Sequence, residues 1–166
     1  RGCTALTEIS LPESLTYIQY SAFQNCTALK NLDVPDSVIQ CGTYLVYGCT
    51  ALEWVQIPDS VLGLGYRAFY QCTGLETVTL PTEWTACLAY SVGSADYYGS
   101  LFEGCSALTE ILVPETITHL PDYAFSGCGY LETVTLPGSL TALGSYAFQN
   151  CYLLESVELD LELGVD

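Results

Sequence analysis

Cysteine is the residue most able to do chemistry in this 166-residue chain, and there are nine of them. Nine thiols could build a disulfide framework or hold a metal, and a thiolate metal site usually announces itself by closely spaced pairs. No C-x-x-C pair occurs. Seven cysteines (Cys3, Cys26, Cys49, Cys72, Cys105, Cys128 and Cys151) follow one another at intervals of 23, 23, 23, 33, 23 and 23 residues. The other two, Cys41 and Cys87, each lie 15 residues after one of the seven. Such regularity places every thiol at a fixed slot of a repeated unit, facing inward as a small apolar group. Units stacked about 4.8 Å apart bring successive Cα atoms within bridging range. Equivalent side chains point in parallel, however, and hold their Cβ atoms beyond the ~3.8 Å that a disulfide prefers. Reduced, buried thiols are therefore expected, with a disulfide and a bound metal as the two alternatives.

The remaining candidates for catalysis are thin. His119 is the single histidine, between Ile117 and Leu120, and no G-x-S-x-G is present to pair with it. A nucleophile–base machine has one base to draw on, so a solvated surface histidine and a non-catalytic chain are expected. Gly63, Gly65 and Ala68 spell a G-x-G-x-x-A fingerprint by letters. Yet Leu64 and Ala68 fall on repeat slots and no βαβ unit surrounds them, so no dinucleotide or other cofactor is expected. Asn25-Cys26-Thr27 is a formal glycosylation sequon whose cysteine belongs to the core. Asp160, Glu162 and Asp166 lack the glycine pattern of a calcium loop.

Charge narrows the partners. Nineteen Asp and Glu against three Lys and Arg give a formal charge of −16. Nucleic-acid backbone and anionic lipid are bound through Lys and Arg, so this surface repels both and no nucleic acid is expected, while cationic partners or divalent ions are favoured. No apolar run is long enough to insert in a membrane.

The elements that position these residues are written in one repeated sentence, clearest in Cys128–Asn150, CGYLETVTLPGSLTALGSYAFQN. Leu follows Cys by three, then come an apolar-x-apolar-Pro run, a Ser or Thr, an aliphatic, and Ala-Phe before the next Cys. Six copies are complete and a seventh is begun; the fourth carries ten extra residues, within 88–100. The alternation predicts one short strand per copy with inward pairs Ile9/Leu11, Leu32/Val34, Val55/Ile57, Val78/Leu80, Ile111/Val113, Val134/Leu136 and Val157/Leu159. Proline lacks the N–H that would continue a ladder, so Pro12, Pro35, Pro58, Pro81, Pro114 and Pro137 should stop each strand at one height. The seven or eight residues of the return limb leave room for an irregular or single helical turn, with stacked Phe rings filling the core. In the second copy Leu45-Val46 replace Ala-Phe, and Tyr44 or Tyr47 is expected to restore the lost volume. The last copy drops its proline for Asp160 and continues as an apolar/acidic alternation, either a cap or an exposed edge.

This pattern, from residue 3 to about 159, resembles the BspA-like leucine-rich repeat family. The resemblance implies a leucine-rich repeat right-handed solenoid of the α/β superhelix class, with a parallel sheet on the concave face and irregular or short helical turns on the convex side. It also implies a bacterial or protist cell-surface protein that adheres by binding host or neighbouring-cell proteins, and it brings no catalytic residues. The chain opens on the tail of a repeat without an initiating Met. Residues 1–166 are accordingly expected to be one solenoid domain cut from a longer protein, whose ends could associate end-to-end or edge-to-edge.

Two features stand out as binding candidates. Strand alternation turns Asn31, Asp33, Trp54, Gln56, Thr77, Thr79 and Glu110 outward on one sheet face. Trp54 has no structural need to be there, and Trp is enriched among interface hot spots; the bland reading lays it flat on Asn31 and Thr77. The insertion sets Tyr90, Tyr97 and Tyr98 among Ser and Gly, a composition suited to binding loops, or else merely a tolerated bulge. A non-catalytic extracellular module binding a cell-surface or matrix protein is the expected function. The alternative is a spacer that presents another domain.

Overall fold

The structure, a computed structural model, describes residues 1–82 and 100–160. Cys87, Tyr90, Tyr97 and Tyr98, with nearly all of the insertion and the alternation after Asp160, lie outside the described residues. The chain winds as stacked coils. The described residues form ten short strands: β1 Tyr17–Ile18, β2 Asn31–Asp33, β3 Gln40–Cys41, β4 Trp54–Gln56, β5 Thr77–Thr79, β6 Glu110–Leu112, β7 His119–Leu120, β8 Thr133–Pro137, β9 Ala142–Leu143 and β10 Ser156–Asp160. Every pairing is parallel and in one register, Asn31 beside Trp54 beside Thr77, and Glu110 beside Thr133 beside Ser156. The 23-residue period of the sequence is thus the register of the sheet.

Where the alternation predicted one line of ties between neighbouring coils there are three, the first interrupted between the fourth and fifth coils. The first is the sheet itself, β2-β4-β5 and β6-β8-β10. The second is a column of two-residue strands, β1-β3 and β7-β9, extended by a bridge from Cys41 to Leu64. The third runs through the return limb, which contains no helix among the described residues. There Tyr44, Val46 and Gly48 donate to the carbonyls of Tyr66, Ala68 and Tyr70 at 3.0, 2.9 and 2.9 Å, and other coils repeat the arrangement. Two left-handed residues bracket this limb in each coil, for example Tyr44 (φ 57°) and Gly48 (φ 70°). They turn every second N–H along the stack. The turn serines also reach across coils: Ser37 donates to Leu15 and Ser60 to Val38, each at 2.7 Å.

Inside lies the apolar spine. Leu29, Leu52, Leu75, Leu108 and Leu131 are fully buried, as are Leu32, Val55 and Val134 at the predicted inward slots. Phe69 stacks on Phe102 at 4.9 Å, Phe102 on Phe125 at 5.5 Å and Phe125 on Phe148 at 5.6 Å. The exceptions are at the ends of the stack and in the fourth coil, where Val78 and Leu80 are half-buried. Ile9 and Leu11 are half-buried, residues 7–11 form no strand, and Val157 is 46% exposed, because each lacks a coil on one side. For the same reason Cys3 is exposed and Cys151 half-buried, although every thiol was expected inside.

Two further expectations need correction. Tyr44 and Tyr47 do not refill the second coil; both are surface residues of an aromatic cluster. Volume is conserved within the core instead, since Leu45 and Val46 are both fully buried where other coils place a small Ala and a large Phe. Nor does proline end every strand: β8 runs through Pro137, which lies opposite Asp160. Asp160 keeps the N–H that a proline at its position would lose, so this pairing extends to five residues.

Candidate interaction face

Alternation along β2, β4 and β5 carries two outward rows, Asn31–Trp54–Thr77 and Asp33–Gln56–Thr79. Trp54 is 38% exposed and flanked in register by Asn31 and Thr77, while Val55 beneath it is buried. Beyond a break the rows resume as Glu110–Thr133–Ser156 and Leu112–Thr135–Glu158, with Leu112 63% exposed. The predicted face is therefore assembled on two half-sheets. Tyr90, Tyr97 and Tyr98 lie outside the described residues, and nothing places them beside it.

The break has a specific origin. In other consecutive coils one backbone bond opens the sheet ladder: Glu53 to Lys30, Glu76 to Glu53, Glu132 to Thr109 and Glu155 to Glu132, at 2.8 to 3.0 Å. Among the described residues, the corresponding bond from Thr109 to Glu76 is missing, and β5 and β6 are unpaired. A cavity of about 340 Å³ opens there, lined by Thr77, Val78, Glu110, Ile111, Leu112, Thr133 and Thr135.

A second surface feature went unread in the sequence. On the return limb Tyr44 meets Tyr20, Tyr47 and Tyr66 edge-on at 5.5 to 5.8 Å, and Tyr47 stacks on Tyr70 at 4.9 Å. The Arg67 guanidinium lies 5.0 Å from the Tyr66 ring centre and 4.4 Å from that of Tyr70, with Glu103 at 3.9 Å. Burial pushes the Tyr66 and Tyr70 phenols up, against the opposing pull of Arg67. The signal available was the recurrence of Tyr just before or after the Ala-Phe slot in several copies.

The thiols are disposed for packing, not chemistry. Cys49, Cys72, Cys105, Cys128 and Cys151 each donate to a carbonyl of the preceding coil, at 3.0, 3.0, 3.1, 3.2 and 3.2 Å. All eight described cysteines are free, and burial pushes Cys41 and Cys49 up to about 12 and raises Cys72 and Cys105 further from thiolate. His119 is exposed on β7 beside Ala142, without a nucleophile of the described residues bonded to it. Gly65 has a packing role: a Cβ there would meet the backbone of Thr43, which accounts for one of the two fingerprint-like glycines.

A model of the BspA type leucine rich repeat region, in six copies, matches residues 1–94 and 97–164. The chain belongs to the BspA-type leucine-rich repeat family. Solved leucine-rich repeat structures share its fold. A leucine rich cell surface protein of Faecalibacterium prausnitzii A2-165 superposes with a TM-score of 0.68 at 23% identity, over 93% of this chain and 54% of that one. A leucine-rich repeat protein of Bacteroides ovatus gives 0.63 at 27% identity, over 94% and 43%. The leucine rich repeat protein of T. pallidum gives 0.65 at 23%, over 90% and 75%. This BspA-type chain thus spans about half the length of the first two. No curated protein matched it. No helix among the described residues is long and apolar enough to cross a membrane.

Proposed function

We propose that this BspA-type solenoid is a non-catalytic, extracellular recognition module at a cell surface that binds a host, neighbouring-cell or matrix protein across its sheet face. The observation that carries this reading is Trp54, set 38% exposed in the middle of a polar row on a rigid strand. A large aromatic held open on a flat, preorganised face offers contact area at little ordering cost. Exposed Leu112 adds a second apolar contact on the same face. The Tyr-rich insertion, with Tyr90, Tyr97 and Tyr98, is proposed as an accessory loop.

The test is a binding screen of the purified chain against cell-surface and extracellular-matrix proteins, followed by Trp54→Ala. The variant should bind its partner about thirtyfold or more weakly, since hot-spot truncations cost ~2 kcal/mol or more, with the thermal midpoint unchanged. Retention of full affinity in both Trp54→Ala and a deletion of residues 88–100 would turn the reading toward a spacer. The unbroken hydrogen-bonded ladder of the return limb suits that role too.

A further inference from the structure

We propose that the wedge between β5 and β6 is the anchoring cleft of this face and takes a Lys or Arg side chain of a basic partner protein. The inference rests on the protein-binding reading above and names the partner chemistry.

The junction between the fourth and fifth coils is closed at the back and open in front. At the back, Ser100, Phe102 and Gly104 donate to Asp122, Ala124 and Ser126 at 2.9, 3.0 and 2.8 Å, and the Phe102 and Phe125 rings stack with planes 6° apart. Cys128 adds its bond to the Phe102 carbonyl. In front, β5 and β6 come within 8 Å at Cα but share no hydrogen bond. A gap of that width is too narrow for another strand, which needs about 4.8 Å on each side. It admits a side chain. The opening of about 340 Å³ is at the small end of ligand sites, with room for one long side chain and water beside it.

Its walls select the kind. Val78 is half-buried where the equivalent Val55 is 1% exposed, so apolar core is reachable through the seam. Ile111 forms the other wall and Leu112 an exposed apolar lip. Glu110 stands exposed at the mouth with the hydroxyls of Thr77, Thr133 and Thr135 around it. An aliphatic stem ending in a cation matches this combination, because Lys and Arg bury their methylenes while the charged head stays at a wet, acidic rim. The chain's own three cations do not meet the need: Lys30 pairs with Glu53, Arg67 with Glu103, and Arg1 sits against the Ala22 carbonyl in the first coils. A formal charge of −16 steers basic surfaces toward the molecule.

The experiment titrates N-acetyl-arginine methylamide, and the norleucine analogue as the uncharged control, into the isotope-labelled protein by NMR. The arginine probe should bind weakly, on the order of millimolar for so small a ligand, with shifts confined to Thr77, Ile111, Leu112 and Thr133. Glu110→Gln should weaken it about tenfold, as expected for loss of a charge-assisted contact, and Glu158→Gln on the same face should not. Shifts spread equally to Asp33 and Glu158, equal response to norleucine, or no saturable binding would each overturn the cleft. A protein partner lost on Trp54→Ala but retained on Glu110→Gln would sink the cleft and leave the protein-binding reading standing. Specific arginine binding together with no retained protein partner would do the reverse.

Discussion

The Phe69 carbonyl accepts the N–H of Cys72 and the thiol of Cys105, each at 3.1 Å. A buried carbonyl has two lone pairs, and the cysteine of the following coil satisfies the second while packing as a small apolar group. The thiol stays protonated to do so, which couples stability to pH. Burial raises Cys41 and Cys49 from 9.0 to about 12. Below pH 9 both folded and unfolded chains hold these protons. Between 9 and 12 only the folded chain does, so the unfolded state binds fewer protons and stability falls as pH rises. Each thiol contributes a loss of ~1.4 kcal/mol per pH unit in that window. Urea denaturation at pH 8, 9.5 and 10.5 should therefore show a steep drop above 9. Tyrosines also titrate there, so the comparison is with Cys41→Ala/Cys49→Ala, whose decline should be shallower by up to ~2.7 kcal/mol per unit. Parallel pH profiles for the two proteins would refute the coupling.

At the level of the coil, glycines mark where backbones touch. A Cβ on Gly65 would fall 2.2 Å from the Thr43 nitrogen and 2.5 Å from the Gly42 carbonyl carbon, whereas one on Gly129 meets only the Tyr152 ring at 3.7 Å. Gly65→Ala should cost about 1–3 kcal/mol in urea unfolding, as overpacking does, and Gly129→Ala should be neutral. Equal midpoints for the two variants would mean the coils are not packed this closely. The 23-residue spacing of cysteine, Leu-x-x-apolar and Pro made the register, the inward rows and the outward Trp54 row readable before any coordinates. Two-residue strands such as β1 and β9 were not, because alternation needs more than two residues to show. The left-handed slots were half-hidden: Gly48, Gly104 and Gly127 mark one, but Tyr44, Arg67, Tyr123 and Tyr146 occupy the other without a glycine. The Tyr–Arg cluster depends on those backbone angles. The missing rung between β5 and β6 is a matter of contact between two coils, which no local pattern encodes.

For the stack as a whole, stability is a sum over neighbouring interfaces, so the weakest interface decides how it comes apart. The fourth and fifth coils meet with the sheet ladder open, and the return limb and phenylalanine column bear that junction. Thr109 lacks the bond that Glu53, Glu76, Glu132 and Glu155 make, so its amide should exchange fastest of the five in native-state hydrogen exchange. Phe102 is the ring common to both halves, stacked on Phe69 at 4.9 Å and on Phe125 at 5.5 Å. Phe102→Ala removes core volume on both sides of the seam, a loss of about 3–5 kcal/mol for a buried Phe. Because that cost falls on the interface already lacking a rung, it should split a single urea transition into two, with Trp54 reporting the first half. Phe148 has a described stacking partner only in Phe125 and is half-buried, so Phe148→Ala should lower the midpoint less and keep one transition. One transition in the Phe102 variant, with all probes coincident, would show the sheet face to be coupled across the seam and the wedge closed in solution.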